Sequence, residues 1–123
     1  MTLRLGARSW LVAAGLCGAA GVALAAAAAH APLCDPALLE RAAEFMLIHA
    51  PALSACAWLA DRRGGTLPHL SGLAFLAGLV LFSGTLALRG WGVGVPAGPA
   101  PAGGFALIAG WLLLAGSAFP RRS

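Results

Sequence analysis

The stretch WLVAAGLCGAAGVALAAAAA, residues 10–29, holds no charged side chain and has the length, roughly 20 apolar residues, that an α-helix needs to cross a bilayer. Arg4 and Arg8 precede it, and the small-residue tract running into His30 follows, an arrangement that a secretory signal peptide shares. The run exceeds the roughly 7 to 15 apolar residues of a signal core, and further apolar runs lie downstream. A retained first membrane helix is therefore expected, and with it a polytopic fold.

The rest of the chain agrees with that reading. Of 123 residues, 60% are hydrophobic and 10% charged, far below the roughly 25% charged residues of a soluble domain. One integral membrane domain is expected, all-α, an antiparallel bundle of four transmembrane helices with spans at about 9–30, 41–60, 69–89 and 103–119. The breaks between spans carry the turn chemistry. APLCDPALLER (31–41) places Asp35 to cap a helix whose first turn tolerates Pro36. DRRGGTLPH (61–69) supplies two glycines and a proline, and GWGVGVPAGPAPAGG (90–104) is a glycine and proline tract that is not expected to sustain helix.

The net charge of +4 comes from eight arginines with no lysine, all at segment ends. Charges that punctuate apolar runs are topology signals and do not form the clustered basic face of a nucleic-acid binder, so no nucleic acid is expected. With both termini and the 61–69 break in the cytoplasm, Arg4, Arg8, Arg62, Arg63, Arg121 and Arg122 lie inside and Arg41 and Arg89 outside. Trp10, Trp58 and Trp91 fall near predicted helix ends, where indole rings favour the interface. Lipid tails are as apolar as leucine, so the helices must associate through close backbone approach at small residues. Glycines at 15, 18 and 21, at 72, 78 and 84, and at 104, 110 and 116 line three of the runs; Ala74 with Gly78, and Ala106 with Gly110, fit small-xxx-small spacing.

Four short motifs occur in order along the spans: AAAAAH ending the first, IHAPAL in the second, LFSGTLAL in the third and PAGGFALIAGW opening the fourth. In order and spacing the chain resembles the transmembrane protein 256 or YgdD-like family, also called domain of unknown function 423. That family usually has glycine-alanine-phenylalanine-glycine-alanine-histidine at the first motif; here Ala26, Ala29 and His30 fit it. In the second, Met46, Leu47 and Ile48 precede His49, and Pro51 stands where the family has leucine. Ser83, Gly84, Gly103, Gly104, Gly110 and Trp111 match. The resemblance implies a four-helix membrane fold in the bacterial cytoplasmic (inner) membrane and no settled biochemical activity.

An ionisable side chain inside a span is the first place to look for function. His49 is that residue, and Pro51 leaves the carbonyl of Leu47 without its helical donor, so a bend and a small polar pocket beside the histidine are expected. The bland alternative is that His49 ties α-helices together, with Ser83 on the third span as its partner. His30 belongs at a wetted helix end, as does His69. Glu44 pairs with Arg41 three residues earlier, near Glu40, at a charged helix start. His49, Ser83, His30 and Glu44 are the candidate binding residues. No phosphate loop, catalytic triad or metalloprotease motif is present, so no catalytic residue, cofactor or metal is assigned and an enzyme is not expected. Cys17 and Cys56 read as small buried hydrophobes, while Cys34 lies near a loop. The expected role is structural or accessory within the bilayer, beside a second copy or another membrane protein. The alternative is a small transporter or channel subunit with His49 as its proton-responsive group.

Overall fold

The computed structural model describes residues 2–119. Four helices build it: α1 (Leu5–His30), α2 (Pro36–Arg62), α3 (Leu67–Gly90) and α4 (Pro99–Gly116), with no strand among the described residues. Each is long and apolar enough to cross a membrane, which makes the chain a multi-pass membrane protein. At 1.5 Å per residue, the 26 residues of α1 span about 39 Å and the 18 of α4 about 27 Å. The fourth helix therefore just matches the roughly 30 Å hydrocarbon layer, and the others project beyond it.

Local chemistry sets the helix ends. Asp35 caps α2 as expected, its Oδ1 accepting from the amides of Ala37 (3.1 Å) and Leu38 (3.3 Å) with Pro36 at the first position. Gly64 and Gly65 turn the chain into α3 with φ of +66° and +93°, the left-handed region that disfavours a side chain. The fourth helix corrects the sequence reading. It begins at Pro99, within the glycine and proline tract, and ends at Gly116, so the expected 103–119 is shifted toward the N-terminus. Pro99 and Pro101 fall in the first turn, where an amide has no helical acceptor in any case, and so do not break the helix.

The helices run up, down, up and down. The Arg4 amide reaches Asp61 Oδ1 at 3.0 Å, joining the start of α1 to the end of α2, and the Asp35 amide reaches the Gly90 carbonyl at 2.8 Å, joining the start of α2 to the end of α3. Ser71 Oγ donates to the Gly110 carbonyl at 2.8 Å, setting early α3 beside late α4. The bundle is open and not a closed ring: α1 packs on α2, α2 on α3 and α3 on α4, while α1 meets α3 only briefly. The two central helices are more deeply buried than the flanking pair.

Small residues do hold the helices together, but the glycine series divide. Gly72 receives the Trp10 indole, Gly110 the Phe75 ring, and Gly78 faces Leu107 and the Gly103 carbonyl. Gly15, Gly84 and Gly104, from the same series, face open space. Trp10 also departs from expectation. It is buried, its indole donating to His69 Nδ1 at 2.9 Å, and so crosslinks α1 to α3. Trp58 and Trp91 remain exposed near helix ends.

Arg4, Arg8, Arg62 and Arg63 share one end of the bundle, and Arg41 and Arg89 the other. Arg121 and Arg122, which the topology count also used, lie outside the described residues.

Candidate functional site

His49 sits mid-way along α2 and is only 3% exposed. Its position follows from helix geometry: two residues from Pro51 is about 200° of rotation, so the histidine and the proline face opposite sides. Pro51 opens toward α1, in a groove of about 620 Å³ bordered by Leu11, Gly15, Ala50 and Ser54. His49 faces α3 and α4 instead. The expected pocket shared by the two residues does not form, and α2 runs on as helix through the proline.

The histidine's partner also differs from the one expected. His49 Nδ1 lies 2.6 Å from the Phe45 carbonyl, one turn back on α2, and His49 Nε2 lies 3.0 Å from Trp111 Nε1 on α4. Tryptophan is a donor only and a carbonyl an acceptor only. The pair of contacts therefore specifies one form of the ring: neutral, with the proton on Nδ1, which donates to Phe45, and Nε2 accepting from Trp111. A second proton, on Nε2, would face the indole N–H and abolish the interhelical bond.

Aromatic rings close around this pair. Phe75, fully buried on α3, presents an edge to His49 with centroids 5.3 Å apart and makes a T-shaped contact with Trp111 at 5.1 Å. Phe45 stacks on the imidazole at 6.0 Å and touches Phe82 at 4.3 Å. Three helices thus meet at one histidine.

Ser83 is buried too, yet its hydroxyl donates to the Ala42 carbonyl at 3.0 Å and ties α3 to α2 on its own. Glu44 is exposed and holds the expected Arg41 at 3.0 Å, a pair more than half open to its surroundings and so worth little. With Glu40, Ala43, Leu47, Ile48 and Ala25 it borders a shallow groove of about 540 Å³. His30 closes α1, exposed as expected. No hydrogen bond joins any two of these four candidates, and no group of three metal-ligating side chains converges among the described residues.

Several interhelical ties were not foreseen. Trp111 appeared only as a matching family position, and Ser71, fully buried between Cys56 Sγ (3.5 Å) and the Gly110 carbonyl, was not singled out. A tryptophan 62 positions from its histidine leaves no periodic signal.

The His49–Trp111 bond is testable by a double-mutant cycle. In His49→Ala, Trp111→Phe and the double variant, SDS-driven unfolding in mixed micelles is expected to give a coupling of about 0.6 to 1.7 kcal/mol. His30→Ala with Trp111→Phe is expected to give none. Additive losses at His49 and Trp111 would dismiss the bond as an energetic tie.

A family model described as "Protein of unknown function (DUF423)" matches residues 24–104, more than half of the chain and a segment that contains His30, Glu44, His49 and Ser83. No curated protein and no solved structure matches the chain.

Proposed function

From the premise that this chain belongs to the DUF423 family of proteins of unknown function, we propose that it is a non-enzymatic structural or accessory component of a membrane complex. The observation that carries this reading is the saturation of the one buried imidazole among the described residues. Both nitrogens of His49 are engaged, by Phe45 and Trp111, within a packed cage of aromatic rings. A proton carrier needs a free position at which the proton arrives and leaves, whereas an interhelical tie needs the reverse. The broad apolar faces of α1 and α4 leave room for a second copy or another membrane protein beside the bilayer lipid.

Cross-linking in native membranes followed by purification and mass spectrometry tests the role directly. Recovery of a stoichiometric membrane partner, or of a self-linked product, is expected. Proteoliposomes are expected to show no flux that depends on His49; proton or solute flux abolished by His49→Ala would replace this reading with the transporter one.

The arginine distribution favours an orientation with both termini cytoplasmic, in what the family resemblance implies is the bacterial inner membrane. Cys34 tests that orientation. It lies in the α1–α2 turn, half-buried, while Cys17 and Cys56 are buried within helices. An impermeant maleimide added to intact spheroplasts is expected to label Cys34 and spare the other two. Labelling of Cys34 only after lysis would invert the topology.

A further inference from the structure

The arginine-rich end of the bundle holds a feature that a purely scaffolding role does not require. Arg4, Arg8, Arg62 and Arg63 gather there against the single carboxylate of Asp61, the other three acids being Asp35, Glu40 and Glu44 at the opposite end. Asp61 Oδ1 is occupied by the Arg4 amide. Between the α2–α3 turn and the last turn of α4 lies a cavity of about 450 Å³, bordered by Leu59, Arg63, Gly64, Leu67, Ser117 and Phe119. That volume lies within the roughly 300 to 1,000 Å³ typical of small-molecule sites.

The cavity is amphipathic in the direction a lipid is. Arg63 Nη1 donates to the Ser117 carbonyl at 3.1 Å, which fixes the guanidinium at the rim and leaves four of its five donor positions for an anion. Leu59, Leu67 and Phe119 give an apolar wall. All of this lies where apolar spans give way to polar turns, the depth of the headgroups.

We propose that this cavity binds the headgroup phosphate of an anionic phospholipid, Arg63 ligating the phosphate and the wall of Leu59, Leu67 and Phe119 receiving the glycerol and upper acyl chain. Charge complementarity selects the anionic lipid over a zwitterionic one, and the apolar wall selects a lipid over a free anion. The proposal stands whether or not the chain serves as an accessory subunit, and in either membrane orientation.

The test is native mass spectrometry of the full chain in neutral detergent, titrated separately with phosphatidylglycerol, phosphatidylcholine and inorganic phosphate. Phosphatidylglycerol adducts are expected to survive where phosphatidylcholine adducts do not. Arg63→Gln is expected to weaken phosphatidylglycerol binding about fivefold, the usual contribution of one arginine at a charged membrane surface. Ala118→Trp, at an exposed position bordering the cavity, obstructs it without a change in charge and is expected to weaken binding at least as much. Arg89→Gln, the same charge change at the other end, is expected to leave it unaltered. Equal retention of the two lipids, equal losses in Arg63→Gln and Arg89→Gln, or full binding by Ala118→Trp overturns the proposal. Inorganic phosphate bound as firmly as the lipid does so as well, by making this a soluble-anion site. If Arg63→Gln does not fold, the lipid comparison and Ala118→Trp decide.

Discussion

Replacing Gly103 with alanine is expected to cost about 2 to 3 kcal/mol or more, while the same change at the adjacent Gly104 is neutral or slightly stabilising. The asymmetry follows from what a methyl group would meet. At Gly103 a Cβ would lie 2.5 Å from the Phe82 amide nitrogen and 2.7 Å from the Gly78 carbonyl oxygen, both backbone atoms of α3. No side-chain rotation relieves such a contact, so the two helices must separate along their shared face, and Leu107 must leave the space over Gly78. At Gly104 nothing lies within 4 Å, and alanine recovers helix propensity. SDS unfolding of the two variants in mixed micelles measures the difference. Equal stabilities would mean that α3 and α4 are not packed at backbone contact.

Phe75→Ala is the second large effect, at about 3 to 5 kcal/mol, a sizeable share of the 5 to 15 kcal/mol that holds a typical domain folded. The ring is fully buried, seated over Gly110 where a Cβ would lie 2.6 Å from its Cδ1, and in contact with His49 and Trp111. Removing it opens a void among three helices and loosens the cage that orients the His49–Trp111 bond. The tryptophan emission of the folded protein is expected to shift, since Trp111 loses its neighbour. Phe105, on the flanking α4 and 74% exposed, is the comparison: Phe105→Ala is expected within about 0.5 kcal/mol of the parent. A loss at Phe105 equal to that at Phe75 would contradict this account of the core.

Helix existence was legible because it depends on local quantities. An apolar run of sufficient length, Asp35 before Pro36, and the paired glycines 64 and 65 act within a few residues of themselves, and the structure follows them. The start of α4 was misplaced because the tolerance of proline depends on its position in a helix, and GPAPAGG reads as a turn until Pro99 is known to be the first residue. The candidate site was half legible. The mid-span placement of His49 follows from counting residues, but its partner does not, because Ser83 and Trp111 are both polar-tipped residues on other spans, and only the packing sets Ser83 level with Ala42 and Trp111 level with His49.

By itself, the sequence determined that the chain is a four-helix membrane protein, where its first two turns fall and how its arginines divide between two ends, since each depends on transfer of apolar segments and on near-neighbour chemistry. The tertiary structure alone decided that α1 and α4 flank a central α2–α3 pair, that Trp10 is buried against Gly72, and that Gly103 touches backbone where Gly104 touches nothing. It also decided that His49 is a neutral tie to Trp111 facing away from Pro51. The physical reason is one of rotation. In a chain so uniformly apolar, every face of every helix satisfies the bilayer, and only the fit of particular rings into particular glycine gaps determines which faces meet.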